Sequence, residues 1–348
     1  MLRREFLLAG GAIALSGCAT TPSFSVLGLA GAIPSRSLRS FEQKHFRVDY
    51  KIEASPADLW RRLQNPELPA GVVSLGDSWL DMAIAKKLII PFNPTLLAQV
   101  SRWQKLSPQW QALVTRNGEV WGIPYRWGVT AIAYRQDKVK PPITSWADLW
   151  QPELKRKITA IADANEILGL VLKKLGHSYH TPQIANLPNF LSALNSLHRQ
   201  ILTYSNDAYL QPLLIDDALV AVGWSVDLVR LARQNPNIQV VIPQEGTALW
   251  ADLWVLPQHS KTQLNSALTW INATLNDDTS AEIAALTDAN SVIASPTLPA
   301  SVRGDRIKFP ADTILSKSEF ISNLSAEQVQ ERLQIWQNLP SFPIGQAS

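Results

Sequence analysis

Between residues 218 and 257 the chain alternates apolar runs with polar turns. Residues 218–222 are five apolar residues in a row, and residues 238–242 are mainly β-branched. Between them Leu228, Val229, Leu231 and Ala232 keep helical spacing and stop at Asn235-Pro236. The pattern predicts strand, helix, strand, and then a third strand leading to Pro257. Continuous apolar strands belong to a sheet covered on both faces. Ligands of such sheets lie beyond the carboxyl ends of the strands. Two Trp and Asp pairs fall at such ends: Trp224 with Asp227, and Trp250 with Asp252.

The same alternation runs through the rest of the chain. A short strand at 26–29 precedes a helix at 37–44 that carries Leu38 and Phe41 on one face. Residues 46–52 alternate strictly and predict a half-exposed strand. Ser55-Pro56 is a helix start, with Ser as N-cap and Pro at the first helical position. The buried strand 71–75 runs into Gly76-Asp77-Ser78-Trp79 and then a helix with Leu80, Ile84 and Leu88 spaced by four. Residues 119–128 read as an extended crossover between lobes, followed by a strand at 129–134. A strand at 158–162 leads to a helix opened by Asp163 and closed by Gly176. Thr181-Pro182 predicts a further helix to about His198. Helices are expected at 264–275, 281–286 and 326–338. Strand–helix alternation of this kind implies a parallel α/β sheet.

Composition narrows the class. The chain has 348 residues, 46% hydrophobic and 18% charged, with net charge +3. It is long enough for two lobes with their own cores. No Lys/Arg run is present, so no nucleic-acid partner is expected. Arg3-Arg4, the apolar run from Phe6 to Leu15, and Ser16-Gly17-Cys18 form an export leader too short to span a bilayer. Residues 1–17 resemble a lipoprotein signal, and Leu2-Arg3-Arg4-Glu5-Phe6-Leu7-Leu8 also resembles a twin-arginine motif. Cys18 is the single cysteine. A disulfide within the chain is therefore excluded, and the one thiol stands where lipidation needs it. The expected product is exported, on the periplasmic side of a bacterial membrane, anchored through Cys18 with residues 18–24 as lipidated end and tether.

Chemistry comes from carboxylates and indoles. Asp163 and Glu166, three apart at a helix start, form either a capping arrangement or a pair of anions facing a cation. Asp77 and Trp79 repeat that strand-end position. Thirteen Trp residues are many, and a buried indole N–H needs a partner. Rings pack on methylenes and hold ammonium groups, while carboxylates accept charge-assisted hydrogen bonds. Asp77, Trp79, Asp163, Glu166, Trp224, Asp227, Trp250 and Asp252 are thus the candidate ligand-binding residues, suited to an organic polyamine. No catalytic motif, phosphate loop or dinucleotide fingerprint is present. His177 and His180 lack neighbouring ligands, so neither metal nor cofactor is expected.

Five motifs stand in order along the chain. They are Ile123-Pro124-Tyr125-Arg126-Trp127-Gly128, Ser145-Trp146-Ala147-Asp148-Leu149-Trp150, Asp163-Ala164-Asn165-Glu166, Gly223-Trp224-Ser225-Val226-Asp227, and Glu245 through Asp252. Together they resemble the spermidine/putrescine-binding proteins of bacterial ABC transporters. The resemblance covers about Val26 to Phe320. It implies a two-lobed, type II-like solute-binding fold with a hinge and an interlobe cleft. It also implies a monomer that delivers its ligand to a permease and ATPase and is not an enzyme. It places amine binding at Asp163 and Glu166, stacking at Trp224, and an ammonium anchor at Asp252. Two departures stand out. The aromatic pair expected after the first strand is replaced by Gly28-Leu29-Ala30-Gly31-Ala32, and the late Gln is absent near Phe320.

The expected organisation is residues 25–126 with 247–312 as lobe one, and 127–246 with 313–348 as lobe two. The expected function is import of a linear polyamine. A binding protein for another small polar or cationic solute, or an exported hydrolase using cleft carboxylates, are the alternatives.

Overall fold

The computed structural model describes residues 24–340, apart from 66, 68, 69, 322 and 323. Residues 1–23, with the expected leader, Cys18 and expected tether, lie outside the described residues. Phe24–Leu29 is the first described strand, buried along most of its length. It pairs in parallel with Val48–Glu53 on one side and Val72–Gly76 on the other. Beyond these, hydrogen bonding continues through Ala248–Pro257, Ile123–Arg135, Val220–Trp224, Ile158–Ala160 and Ile201–Tyr204, in that order.

Two long strands carry the chain between halves of the molecule. Ile123–Arg135 is a single 13-residue strand, where the sequence predicts a crossover and then a separate strand. Its first half pairs antiparallel with Ala248–Pro257, and its second half with Val220–Trp224 and Ile238–Val241. The lobes therefore share a paired strand instead of being joined by bare linkers. Gly128 does not break the pairing, because Trp250 stands opposite it on the neighbouring strand.

Three apolar clusters follow this division. One joins the strands at 24–29, 72–76 and the first half of the shared strand to Leu253, Trp254 and Trp270. Within it Tyr125 stacks on Trp254 at 4.2 Å, and Trp254 meets Trp270 edge-on at 5.7 Å. The other two lie on opposite faces of the second half, because Ile132 and Tyr134 alternate with Ala131 and Ala133. The molecule is thus an α/β protein of two lobes.

The helix signals hold at their capped ends. Ser55 caps Pro56–Leu63 by accepting from Asp58 N at 3.2 Å, and this helix buries Leu59, Trp60 and Leu63. Ala164–Lys174 is capped by Asp163, and Gly176 follows it with φ +80°. The helix expected from Thr181 is shorter. A single 3₁₀ turn at Ile184–Asn186 precedes Phe190–Gln200, because Pro188 and left-handed Asn189 interrupt the path. The helix expected at 281–286 begins earlier, at Asp277, where Asn276 accepts from Thr279 N.

The tail folds back onto the second half. Glu319 accepts from Ser178 Oγ at 2.6 Å and Tyr179 N at 3.0 Å, and pairs with Lys173 at 2.5 Å. Arg332, itself buried, donates to the carbonyl of Tyr179. Among the described residues no helix is long and apolar enough to cross a membrane.

Candidate functional site

Residues 126–130 of the shared strand meet most of the candidate side chains. Antiparallel register sets Arg126 opposite Asp252 and Gly128 opposite Trp250. Directly opposed residues share a face, so the four positions project together. The register shifts between Asp252 and Leu253, which leaves Tyr125 as the extra residue of a bulge. Bulges re-aim neighbouring side chains. Here Tyr125 turns to the core, bonding Ser74 at 2.9 Å, while Arg126 meets the carboxylate.

Arg126 Nε donates to Asp252 Oδ2 at 2.5 Å, with both side chains 7% exposed. A guanidinium stays charged in a protein. Burial alone would lower its basicity, but Asp252 and the Tyr125 hydroxyl hold it above its ordinary value. Asp77, at the end of the Val72–Gly76 strand, accepts from Ala251 N at 2.9 Å. Burial pushes its carboxyl up to about 7, helped by the charge of Asp252 and opposed by the Ala251 bond.

Trp250 donates from Nε1 to Val129 O at 3.1 Å. Val129 N in turn donates to Ser225 Oγ at 3.2 Å, next to Trp224. Trp224 itself pairs with Thr130 across the strands and stands at the start of the Ser225–Gln234 helix. Thr130 Oγ1 donates to Glu166 Oε1 at 2.9 Å. The other oxygen, Oε2, is buried without a hydrogen-bond partner. Glu166 is pushed up to about 8, first by burial and then by the charges of Asp163 and Asp77.

Asp163 acts as a helix cap in full, accepting from Asn165 N at 2.9 Å and Glu166 N at 3.1 Å through one oxygen. Capping and ligand binding are not exclusive, since the second carboxylate oxygen makes none of these bonds. Among the described residues, neither Asp163 nor Glu166 has an ion-pair partner. Asp227 accepts from Tyr209 Oη at 3.0 Å and has Arg230 at 4.0 Å. Its carboxyl is raised by burial, and the charges of Arg230 and Arg126 oppose that rise. Trp79 makes none of these bonds: its indole stacks on Trp60 at 4.9 Å, against the first core.

The sequence reading missed Arg126, Thr130 and Tyr50. Arg126 carries a signal, as the one charged residue in the strand from 123 to 134. Only pairing with Asp252 shows its meaning. Tyr50 fills the space beside the first strand where the expected aromatic pair is absent. A Cβ on Gly28 would lie 2.2 Å from the Tyr50 hydroxyl. That hydroxyl is buried without a partner, within reach of the charges of Arg126 and Asp252. The surface cavity of about 420 Å³ beside the Ala326–Gln337 helix is lined by none of these groups.

Comparison with known proteins follows the same lines. Residues 37–308 match the family described as bacterial extracellular solute-binding protein. The spermidine/putrescine-binding periplasmic protein of Salmonella typhimurium is 29% identical over 203 residues, which is 58% of this chain and 58% of that protein. The chain therefore spans just over half the length of that relative. The putrescine-binding periplasmic protein SpuD of Pseudomonas aeruginosa is 25% identical, covering 93% of this chain and 97% of its own length. Among solved structures, the spermidine/putrescine ABC transporter substrate-binding protein PotD of Streptococcus pneumoniae superposes with a TM-score of 0.79. It is 20% identical and covers 91% of this chain and 98% of its own.

Proposed function

The chain belongs to the bacterial extracellular solute-binding proteins, a family that binds and hands on solutes and does not turn them over, and from that premise we propose that it carries a linear polyamine in the cleft between its lobes. The observation that carries this reading is the convergence on residues 126–130. Glu166, Trp224, Trp250 and Asp252 all attach to that run, and Asp77 joins through Ala251. In this reading Asp163 and Glu166 receive an ammonium group, and Trp224 and Trp250 pack on methylenes. Asp77, Trp79, Asp227 and Asp252 complete the walls. The names of the relatives, for spermidine and putrescine, support the same cargo.

The lobes of this proposal are 25–126 with 247–312, and 127–246 with 313–348. The separate cores and the ties from Glu319 and Arg332 to residues 173–179 support that division. Closure of the lobes would enclose the amine. The protein, a monomer anchored through Cys18, would then deliver it to a membrane permease and its ATPase.

Calorimetry with spermidine and putrescine, against sugars and neutral amino acids, tests the proposal. Amines should give heat and the others none. Glu166→Gln should weaken amine binding by about tenfold or more, since a charge-assisted hydrogen bond contributes about 1.5–3 kcal/mol. Sugar binding, or amine binding unaffected by Glu166→Gln, would overturn it.

A further inference from the structure

We propose that the Arg126–Asp252 pair makes this cleft selective for an amine with a positive charge at one end only and an oxygen acceptor at the other. An N-acylated polyamine and an ω-amino carboxylate share that chemistry. The inference rests on the amine reading above and refines its ligand class.

Asp252 is the carboxylate that the resemblance assigns to a second ammonium group. In the structure its Oδ2 already accepts from Arg126 Nε, and both side chains are nearly inaccessible. The pairing is built into the fold. Strand register sets the two residues opposite each other, and the bulge at Tyr125 fixes which side Arg126 takes. A second ammonium group arriving at Asp252 would meet a cation that cannot lose its proton. It would have to displace that cation from its partner or lie beside it without a counter-ion. Like charges brought together in a desolvated site disfavour the wrong ligand strongly.

The opposite end differs. Glu166 is 6% exposed, and its Oε2 has no partner in the protein. No Lys or Arg forms an ion pair with Glu166 or Asp163 among the described residues. One end therefore lacks a cation and the other already holds one. Arg126 has five N–H donors in a planar fork, and Asp252 takes the one on Nε. The remainder suit the carbonyl of an amide or the oxygens of a carboxylate. Tyr50, with its buried unpartnered hydroxyl, adds a further polar group at this end.

The test is calorimetry of the intact exported chain with putrescine, spermidine, N-acetylputrescine and 4-aminobutanoate. N-acetylputrescine or 4-aminobutanoate should bind about tenfold or more tightly than putrescine. The stronger of the two tells an acylated amine from an amino carboxylate. Arg126→Met should reverse the order, with putrescine binding strengthened as Asp252 becomes available. Should that variant fail to fold, Arg126→Met with Asp252→Asn removes both charges together. It should then abolish the discrimination between ligands with one ammonium group and those with two or more. Putrescine binding the wild type more tightly than both N-acetylputrescine and 4-aminobutanoate would overturn this inference and leave the amine carrier standing. No heat with any of the four would overturn the amine reading itself.

Discussion

The indole of Trp250 lies over the backbone of Gly128, its cross-strand partner. A Cβ on Gly128 would sit 2.1 Å from Trp250 Cζ2 and 2.8 Å from Ser225 Oγ. Gly128 is thus needed for close approach, since its place in a paired strand demands no unusual backbone. Gly128→Ala should push Trp250 off the Val129 carbonyl. The expected cost is about 1–3 kcal/mol of overpacking, read from urea unfolding. Ligand affinity should fall as well, because Trp250 and the Ser225 hydroxyl move together. An Ala variant as stable as wild type, with unchanged indole fluorescence, would contradict this placement.

Stability should fall as pH rises across the neutral range. Burial and neighbouring acids raise Glu166 to about 8 and Asp77 to about 7. Both groups keep protons in the folded state over a range where the unfolded chain, titrating near pH 4, has lost them. The folded state then binds more protons, so stability declines from about pH 4 and levels off near pH 8. Glu166→Gln should flatten the upper part of that profile. Amine binding should release a proton near neutrality and strengthen between about pH 6 and pH 8. Calorimetry in buffers of different ionisation enthalpy measures that release; none at pH 7 would mean that Glu166 is already ionised.

A two-arginine clasp spans segments assigned to different lobes. Asp288, buried, accepts from Arg230 Nε at 3.3 Å and from Arg233 at 2.6 Å. Both arginines belong to the Ser225–Gln234 helix and are largely exposed. Solvent screening limits what each pair contributes. Asp288→Asn should cost about 1–2 kcal/mol of stability, as charged hydrogen bonds become neutral ones. The effect should shrink in high salt. An unchanged denaturation midpoint would show that the clasp contributes nothing.

Glu319 makes the tail sensitive to acid. Burial would raise its carboxyl, yet bonds from His180, Lys173, Ser178 and Tyr179 N hold it well below the ordinary value. A depressed carboxyl stabilises the fold above its unfolded pKa, and that stabilisation is lost as pH falls. Below about pH 4 the wild type should lose this contribution, and Glu319→Gln should lack it at every pH. Hydrogen exchange of the Ala326–Gln337 helix at pH 3 and pH 7 would register the difference. Equal protection at both would rule out the tie.

The sequence by itself determined what rests on local periodicity and covalent neighbours. Apolar runs without alternation mark strands covered on both faces. Ser55-Pro56 and Asp163 mark helix starts, because a cap satisfies N–H groups only a few residues away. The acid-plus-Trp strand ends at Asp77–Trp79 and Trp224–Asp227 were also legible, since a strand followed by a helix leaves its turn at the sheet's edge; Trp250 and Asp252, expected in a turn, lie instead inside the strand Ala248–Pro257. The family resemblance was legible for the same reason, as short motifs in fixed order. Only the tertiary structure decided what each acid faces. Arg126 and Asp252 are 126 positions apart, and their bond depends on one strand register and one bulge. The orphan oxygen of Glu166 exists because Thr130 occupies the other, and Tyr50 reaches the first strand from its neighbour. Pairing across long separations follows from the packing of whole lobes, and no local pattern encodes which partner arrives.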